Sequence, residues 1–277
     1  MSDVPTLRLN NGVEMPQLGF GVFLVPADEV VEPVRAALDT GYRLIDTAKL
    51  YGNEEGVGRA IRESGVSRVD VFVTTKVWNS DHGYDATLRA FDESQKLLGL
   101  DVVDLYLIHW PTPQRNLFVQ TWQALERLYA DGRVRAIGVS NFNVPHLQRL
   151  LDETTVVPAV NQIELHPGFA QDELRAFHAQ HGIVTESWSP LGRGHGLLDN
   201  PTVTSIADAH GKTPAQVVLR WHLQLGCVVI PKSAHAQRIK ENFDVFDIEL
   251  SDSDMAALSA ISEPGRIGPD PDEFNRG

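Results

Sequence analysis

The chain has 277 residues, 42% of them apolar by type, and a single cysteine, so a large core is available and no intrachain disulfide can form. Its 24 basic and 37 acidic side chains leave a formal net charge of −13, which argues against nucleic acid or an anionic membrane as partner but leaves room for a local basic pocket. There is no run of about 18 apolar residues, and Met1–Asn10 lacks the charged-then-apolar pattern of a secretion signal, so a cytoplasmic protein without a membrane span is expected.

In chain order, Leu7–Leu9 and Val13–Met15 flank Asn10-Asn11-Gly12, where Asn and Gly tolerate positive φ, and this predicts a β-hairpin. Eight short apolar runs follow. The first four are Leu18–Gly21, Arg43–Asp46, Val71–Lys76 and Val103–His109; the others are Val134–Ser140, Ala159–Gln162, Ile183–Glu186 and Val228–Pro231. Their apolar residues are consecutive rather than alternating, as in parallel strands covered on both faces. Between them, helices are predicted over Ala27–Thr40, Asn53–Ser64, His82–Leu98, Leu117–Asp131 and Gln171–Gln180, and later over Pro214–Leu225 and Asp252–Ile261. Asn53 before Glu54 and Glu55 reads as a helix N-cap, as does Thr213 before Pro214. Cys227, in the apolar stretch Leu223–Ile230, reads as a small buried hydrophobe.

Alternating strands and helices build either an open doubly wound sheet or a closed barrel. Neither Gly-rich nucleotide fingerprint, G-x-G-x-x-G or G-x-x-x-x-G-K-[ST], occurs in the chain. The expected fold is therefore α/β: a (β/α)8 TIM barrel with an N-terminal β-hairpin, one domain over residues 1–277.

Function in such a barrel gathers at the carboxyl ends of the strands. Here the strand ends supply Asp46, Lys76, His109, Ser140 with Asn141, Gln162, Trp188 and Lys232. Each alone reads as an ordinary strand end, and Lys76 or Asp46 singly as a solvated charge. Converging on one rim, they read as a site. Lys76 and Asp46, on adjacent strands, are expected to pair, which keeps Lys76 charged against desolvation. Tyr51, in the loop before Asn53, is placed to lean over the same rim. An ammonium beside a phenol favours phenolate, so the Tyr51 pKa is expected to fall below its ordinary value of about 10. His109, as a neutral imidazole, would hold a carbonyl oxygen in line with Tyr51.

The set Asp46, Tyr51, Lys76 and His109 resembles the catalytic tetrad of the aldo-keto reductase superfamily, and the likeness runs through essentially the whole chain. It is carried by Asp46-Thr47-Ala48 with Tyr51-Gly52-Asn53-Glu54, by Thr75-Lys76-Val77-Trp78, and by Leu105-Tyr106-Leu107-Ile108-His109-Trp110-Pro111. Gly138-Val139-Ser140-Asn141-Phe142, Asn161-Gln162 and Ile230-Pro231-Lys232-Ser233 extend it. Within the superfamily the chain is most similar to short-tailed bacterial reductases of the 2,5-diketogluconate reductase type.

That resemblance implies NADPH-dependent reduction of aldehydes and ketones with Tyr51 as proton donor. It implies that Ser140, Asn141 and Gln162 hold the nicotinamide carboxamide and that Trp188 stacks on the ring, with Ser189 and Leu191 among the cofactor contacts. The same Ser140–Asn143 segment also reads as a turn or helix cap. Gly192–Gly196 corresponds to a loop that folds over the pyrophosphate. Lys232, Ser233, Arg238, Glu241 and Asn242 match the family's adenosine-phosphate pocket, so NADPH is expected to be favoured and NADH to bind more weakly. At His235 the chain carries a partly charged histidine where relatives often have a permanent cation. Phe23, Trp78, His109 and Trp110 are implied to line the substrate mouth, bordered by a short tail from about Pro264.

Two other readings stay open. A nucleotide-binding sensor or regulatory barrel with little turnover would keep the fold, and the intact tetrad counts against it. A metal-dependent barrel hydrolase needs clustered ligands, and no H-E-x-x-H or strand-end His-x-His occurs, so no metal is expected. The expected partner is a small carbonyl compound, and the expected state is a monomer.

Overall fold

The computed structural model of the chain describes residues 4–277. Strands β1 (Thr6–Arg8) and β2 (Glu14–Pro16) pair antiparallel with Leu7 opposite Met15, and Gly12 turns the chain between them at φ +86. Leu9 and Met15 join the apolar cluster of Leu44, Leu105, Leu107, Ala136 and Val160, so the hairpin stoppers one end of the barrel. Asn10 and Asn11 fasten it by donating to the carbonyls of Pro158 at 3.0 Å and Arg135 at 2.9 Å.

Eight parallel strands follow in sequential order: β3 (Phe20–Gly21), β4 (Leu44–Asp46), β5 (Phe72–Val77), β6 (Val103–Ile108), β7 (Val134–Ser140), β8 (Val160–Glu164), β9 (Val184–Trp188) and β10 (Val228–Val229). The sheet closes on itself. Gly19 N donates to Val229 O at 2.9 Å, Val229 N to Gln17 O at 2.9 Å, and Gly21 N to Pro231 O at 3.1 Å. Along β6, Leu105 and Leu107 join the barrel's inner cluster, while Tyr106 and Ile108 join the outer one beneath the helices. Two buried faces explain why apolar residues follow one another instead of alternating. On β7, a Cβ at Gly138 would meet Val160 O at 2.6 Å and Leu107 Cδ2 at 2.8 Å, so the barrel interior has no room for a side chain there.

The helices of the outer ring are α1 (Val31–Thr40), α2 (Glu54–Glu63), α3 (Tyr84–Leu98), α4 (Phe118–Ala130) and α5 (Val144–Glu153), then α6 (Asp172–His181), α7 (Pro201–His210), α8 (Pro214–Gln224), α9 (Ala236–Phe243) and α10 (Asp252–Ser259). Thr213 caps α8 as the sequence predicts, accepting from Gln216 N with Pro214 at the first helical position. Asn53 does not cap α2. Its amide instead donates to the carbonyls of Val22 at 3.1 Å and Val25 at 3.0 Å, and its oxygen accepts from Thr47 Oγ1 at 2.7 Å. The capping asparagine near β7 is Asn143, whose backbone N–H donates to His146 Nδ1, rather than Asn141. Cys227 is buried, and burial pushes its thiol up to about 11. Among the described residues no helix is long and apolar enough to cross a membrane.

Candidate active site

The strand pleat turns Thr75 outward toward Glu54 on α2 and Lys76 inward. Lys76 is wholly buried, so it is no solvated strand end. Its ammonium donates to Asp46 Oδ1 at 2.7 Å and Oδ2 at 2.8 Å, and to Thr47 O at 2.8 Å. Burial alone would lower the Lys76 pKa, but the charge and hydrogen bonds of Asp46, with Tyr51 and Glu186, together outweigh it and hold the group above its ordinary 10.5.

Tyr51 ends a short 3₁₀ turn, Lys49–Tyr51, closed by Gly52 at φ +66. Lys49 anchors the turn through Glu93 at 2.8 Å and Asp81 at 3.0 Å, and Asn53 ties its far end to the loop after β3. The Lys76 ammonium lies 5.1 Å from the centre of the Tyr51 ring. The expected fall in the Tyr51 pKa is not what the structure shows. Burial pushes it up to about 12, with Lys76 pulling down and Asp46 and Glu186 pushing up. The reason is desolvation: enclosing the phenol disfavours phenolate by more than the Lys76 charge recovers, and Asp46 offsets part of that charge.

His109 follows β6, its ring 5.7 Å from that of Tyr51 and 5.1 Å from that of Trp78. Burial, and then the Lys76 charge, hold its pKa well below the ordinary 6.5. The imidazole is neutral, as expected, with Nδ1 enclosed and unpartnered.

These side chains meet at a cavity of about 410 Å³ over the carboxyl end of the barrel, with Asp46, Tyr51 and His109 at its wall and Lys76 below. Phe23, Trp78 and Trp110 line it, as do Ser189, Leu191 and Lys232. On the β7–β9 side, Ser140, Asn141, Gln162 and Trp188 form a connected set. Ser140 Oγ donates to Gln162 O at 2.8 Å, Asn141 Nδ2 to His109 O at 2.9 Å, and Trp188 Nε1 to Asn141 Oδ1 at 2.8 Å. Both protons of the Gln162 amide nitrogen are committed, to Asp46 Oδ2 at 2.8 Å and Glu186 Oε2 at 2.9 Å. Leu24, Asn141, Ser189 and Arg193 on this rim all hold positive φ, the kind of backbone strain that gathers at functional sites.

A second cavity, of about 550 Å³, adjoins the first through Leu191 and Lys232. It is lined by Ser233, His235, Arg238, Glu241 and Asn242, and Lys232, His235 and Arg238 are exposed there. Two joined cavities, one walled by an indole and amides and the other by cations, fit a ligand with an aromatic amide at one end and an anion at the other.

The profile of the Aldo/keto reductase family matches residues 17–263, most of the chain and all of the barrel strands. The chain belongs to the aldo/keto reductase family. It is thereby an oxidoreductase. It is 58% identical over 271 residues to an aldo-keto reductase of Mycobacterium sp. (strain JLS), covering 98% of each chain. It is 54% identical to a glyoxal reductase of Bacillus subtilis (strain 168), with 97% of each covered. Among solved structures it is similar to a variant of Gox0644 in complex with NADPH, with a TM-score of 0.94, 50% identity and 99% of each chain covered.

The structure of this aldo-keto reductase also brings to the site residues that sequence reasoning missed. Phe274, from the C-terminal tail, lies 4.4 Å from Trp110 between ring centres and lines the cavity with Pro269. The tail is latched where Glu164 accepts from the backbone of Ile267 at 2.6 Å and Gly268 at 2.7 Å. Arg193, from the glycine-rich loop, stands 5.5 Å over the Phe23 ring. Glu186 was read only as the end of an apolar run, although a carboxylate ending an otherwise apolar strand was itself a signal.

Proposed function

We propose that this protein reduces the carbonyl group of small aldehydes and ketones with NADPH, and that Tyr51 gives the proton to the carbonyl oxygen. The observation that carries this reading is the buried Asp46–Lys76 pair beneath Tyr51, beside a neutral His109, at the wall of an aromatic cavity. When bound, reduced nicotinamide supplies the hydride. Tyr51, with its pKa near 12, is a fully loaded donor at neutral pH, and Lys76 is the fixed charge that steadies the phenolate left behind. Neutral His109 orients the carbonyl oxygen without competing for the proton. Ser140, Asn141 and Gln162 anchor the carboxamide, with the Gln162 oxygen as its free edge. Trp188 backs the ring, with Ser189 and Leu191 beside it. Ser233, Glu241 and Asn242 hold the adenosine end, and Lys232 and Arg238 the 2′-phosphate.

Loss of NADPH absorbance over a panel of carbonyl compounds tests the activity, and glyoxal-type dicarbonyls belong in it because the Bacillus subtilis relative is named for one. Tyr51→Phe is expected to lower turnover on the best substrate by about 10²–10⁴-fold. Near-normal turnover in that variant would overturn the assignment of Tyr51.

A further inference from the structure

One buried ionisable side chain has no part in the reaction just described. On β9, Thr185 and Ser187 turn outward, where Thr185 Oγ1 meets His178 Nδ1 at 2.8 Å and Ser187 Oγ meets His222 Nδ1 at 3.1 Å. Glu186, between them, turns into the barrel and is wholly buried. Its Oε2 accepts from Gln162 Nε2 at 2.9 Å, the nitrogen that also donates to Asp46 Oδ2 at 2.8 Å. Two carboxyl groups are thus joined through one amide nitrogen, and only one of them has a cation. Lys76 spends its hydrogen bonds on Asp46 and Thr47, while Glu186 Oε1 is enclosed with no partner. One ammonium balances one carboxylate. A second carboxylate in the same dry interior would carry an uncompensated charge, so it keeps its proton instead.

We propose that Glu186 is a positioning residue of the reduction: a protonated carboxyl that holds Gln162 toward Asp46 and, on losing its proton, makes the group beneath Tyr51 anionic and suppresses proton donation. This rests on Tyr51 being the acid. The groups that bear on Glu186 come from three elements: Asp46 on β4, Lys76 on β5 and Gln162 on β8. Its register partner on β10 is the apolar Val228. Burial first, and then the Asp46 charge, push its pKa up to about 8, against the Gln162 bond and Lys76. Ionised, Glu186 in turn raises the pKa of Tyr51. As pH rises through about 8, Glu186 loses its proton, Tyr51 becomes a weaker acid, and reduction slows well before Tyr51 itself ionises.

Glu186→Gln tests this, because glutamine still offers Gln162 an oxygen but cannot ionise. In wild type, kcat for reduction is expected to fall with a midpoint near pH 8. In Glu186→Gln that alkaline limb is expected to move up by about one pH unit or more. A readout independent of turnover is the ultraviolet titration of Tyr51, each protein measured against its own Tyr51→Phe counterpart. Its midpoint is expected to fall by about one unit in Glu186→Gln, since the anion that raised it is gone. If Glu186→Gln does not fold, pH-difference infrared spectra of wild type still decide, through a carboxylic-acid carbonyl band lost between about pH 7 and 9. An unmoved kcat limb, an unmoved Tyr51 midpoint or the absence of that band would each overturn the proposal. Full turnover in Tyr51→Phe would remove Tyr51 as the acid instead, and the Tyr51 midpoint and the infrared band would still judge the protonation of Glu186.

Discussion

Replacing Lys76 with methionine separates what the buried ion pair does for stability from what it does for chemistry. The substitution removes three hydrogen bonds at 2.7–2.8 Å and leaves Asp46, 2% exposed, with only the Gln162 amide as partner. Breaking one side of a buried pair costs about 3–5 kcal/mol, chiefly because the remaining charge is stranded. Lys76 is also the sole influence lowering the Tyr51 pKa, so without it the phenol climbs above about 12. Each unit of that climb weakens proton donation by about 1.4 kcal/mol, and the rate loss should approach that of Tyr51→Phe. Asp46→Asn should be milder in rate, because Lys76 keeps its charge. The double variant Asp46→Asn/Lys76→Met strands no charge, and it should recover about 2 kcal/mol or more of the stability lost in Lys76→Met while recovering none of the rate. Urea unfolding gives the first quantity, and single-turnover oxidation of bound NADPH gives the second. Lys76→Met with stability within about 1 kcal/mol of wild type, or with a single-turnover rate within about threefold, would refute the reasoning.

The remaining predictions concern pH and cofactor choice. Burial holds His82, His178 and His222 neutral with pKa near 3, and His109 well below its ordinary 6.5. Their folded pKa values are depressed, so the stability they depend on is present above 6.5 and is lost as pH falls below it, by about 1.4 kcal/mol per pH unit for each. Glu186, its folded pKa raised, works in the opposite sense between its ordinary 4.5 and about 8. The lowered imidazoles outnumber the raised carboxyls Glu54 and Glu186, so the net expectation is a loss of stability below about pH 6, read as a falling urea midpoint, and a flat profile down to about pH 5 would contradict it. In the second cavity, Arg238→Ala should weaken NADPH binding by about ten- to a hundredfold and NADH binding far less, as measured by fluorescence titration. Equal losses for the two cofactors would place the 2′-phosphate elsewhere.

Most of the fold was legible because its causes are local or periodic. Strands buried on two faces are apolar on successive residues, so β5, β6 and β7 stand out as mostly apolar runs in spite of Thr74, Thr75, Lys76, Asp104 and Arg135. The Thr213-Pro214 start of α8 uses only neighbouring backbone, and it was read correctly. Asn53 was misread because the same amide that can cap its own helix serves here as a staple to Val22 and Val25, far back in the chain. Phe274 went unnoticed because its contact with Trp110 depends on where a tail of irregular backbone is latched, by Glu164, and no periodicity records that.

At the site, the sequence by itself determined which chemical groups are present and at which strand ends they stand, because strand order and the barrel's parallel pleat bring those ends to one rim. The charged Lys76 and neutral His109 were read there too, and only the tertiary structure decided how tightly Tyr51 and Glu186 hold their protons. A lysine and an aspartate read alike whether solvated or buried, but wholly enclosed Lys76 must pair, and the enclosure of Tyr51 raises the phenol's pKa by more than the Lys76 charge lowers it. The inward turn of Glu186 then sets a second carboxyl beside that neutralised pair, where it keeps a proton that its place in the sequence gives no reason to expect. Desolvation and charge balance depend on everything within a few ångströms in three dimensions, and neighbours in sequence are only a small part of that.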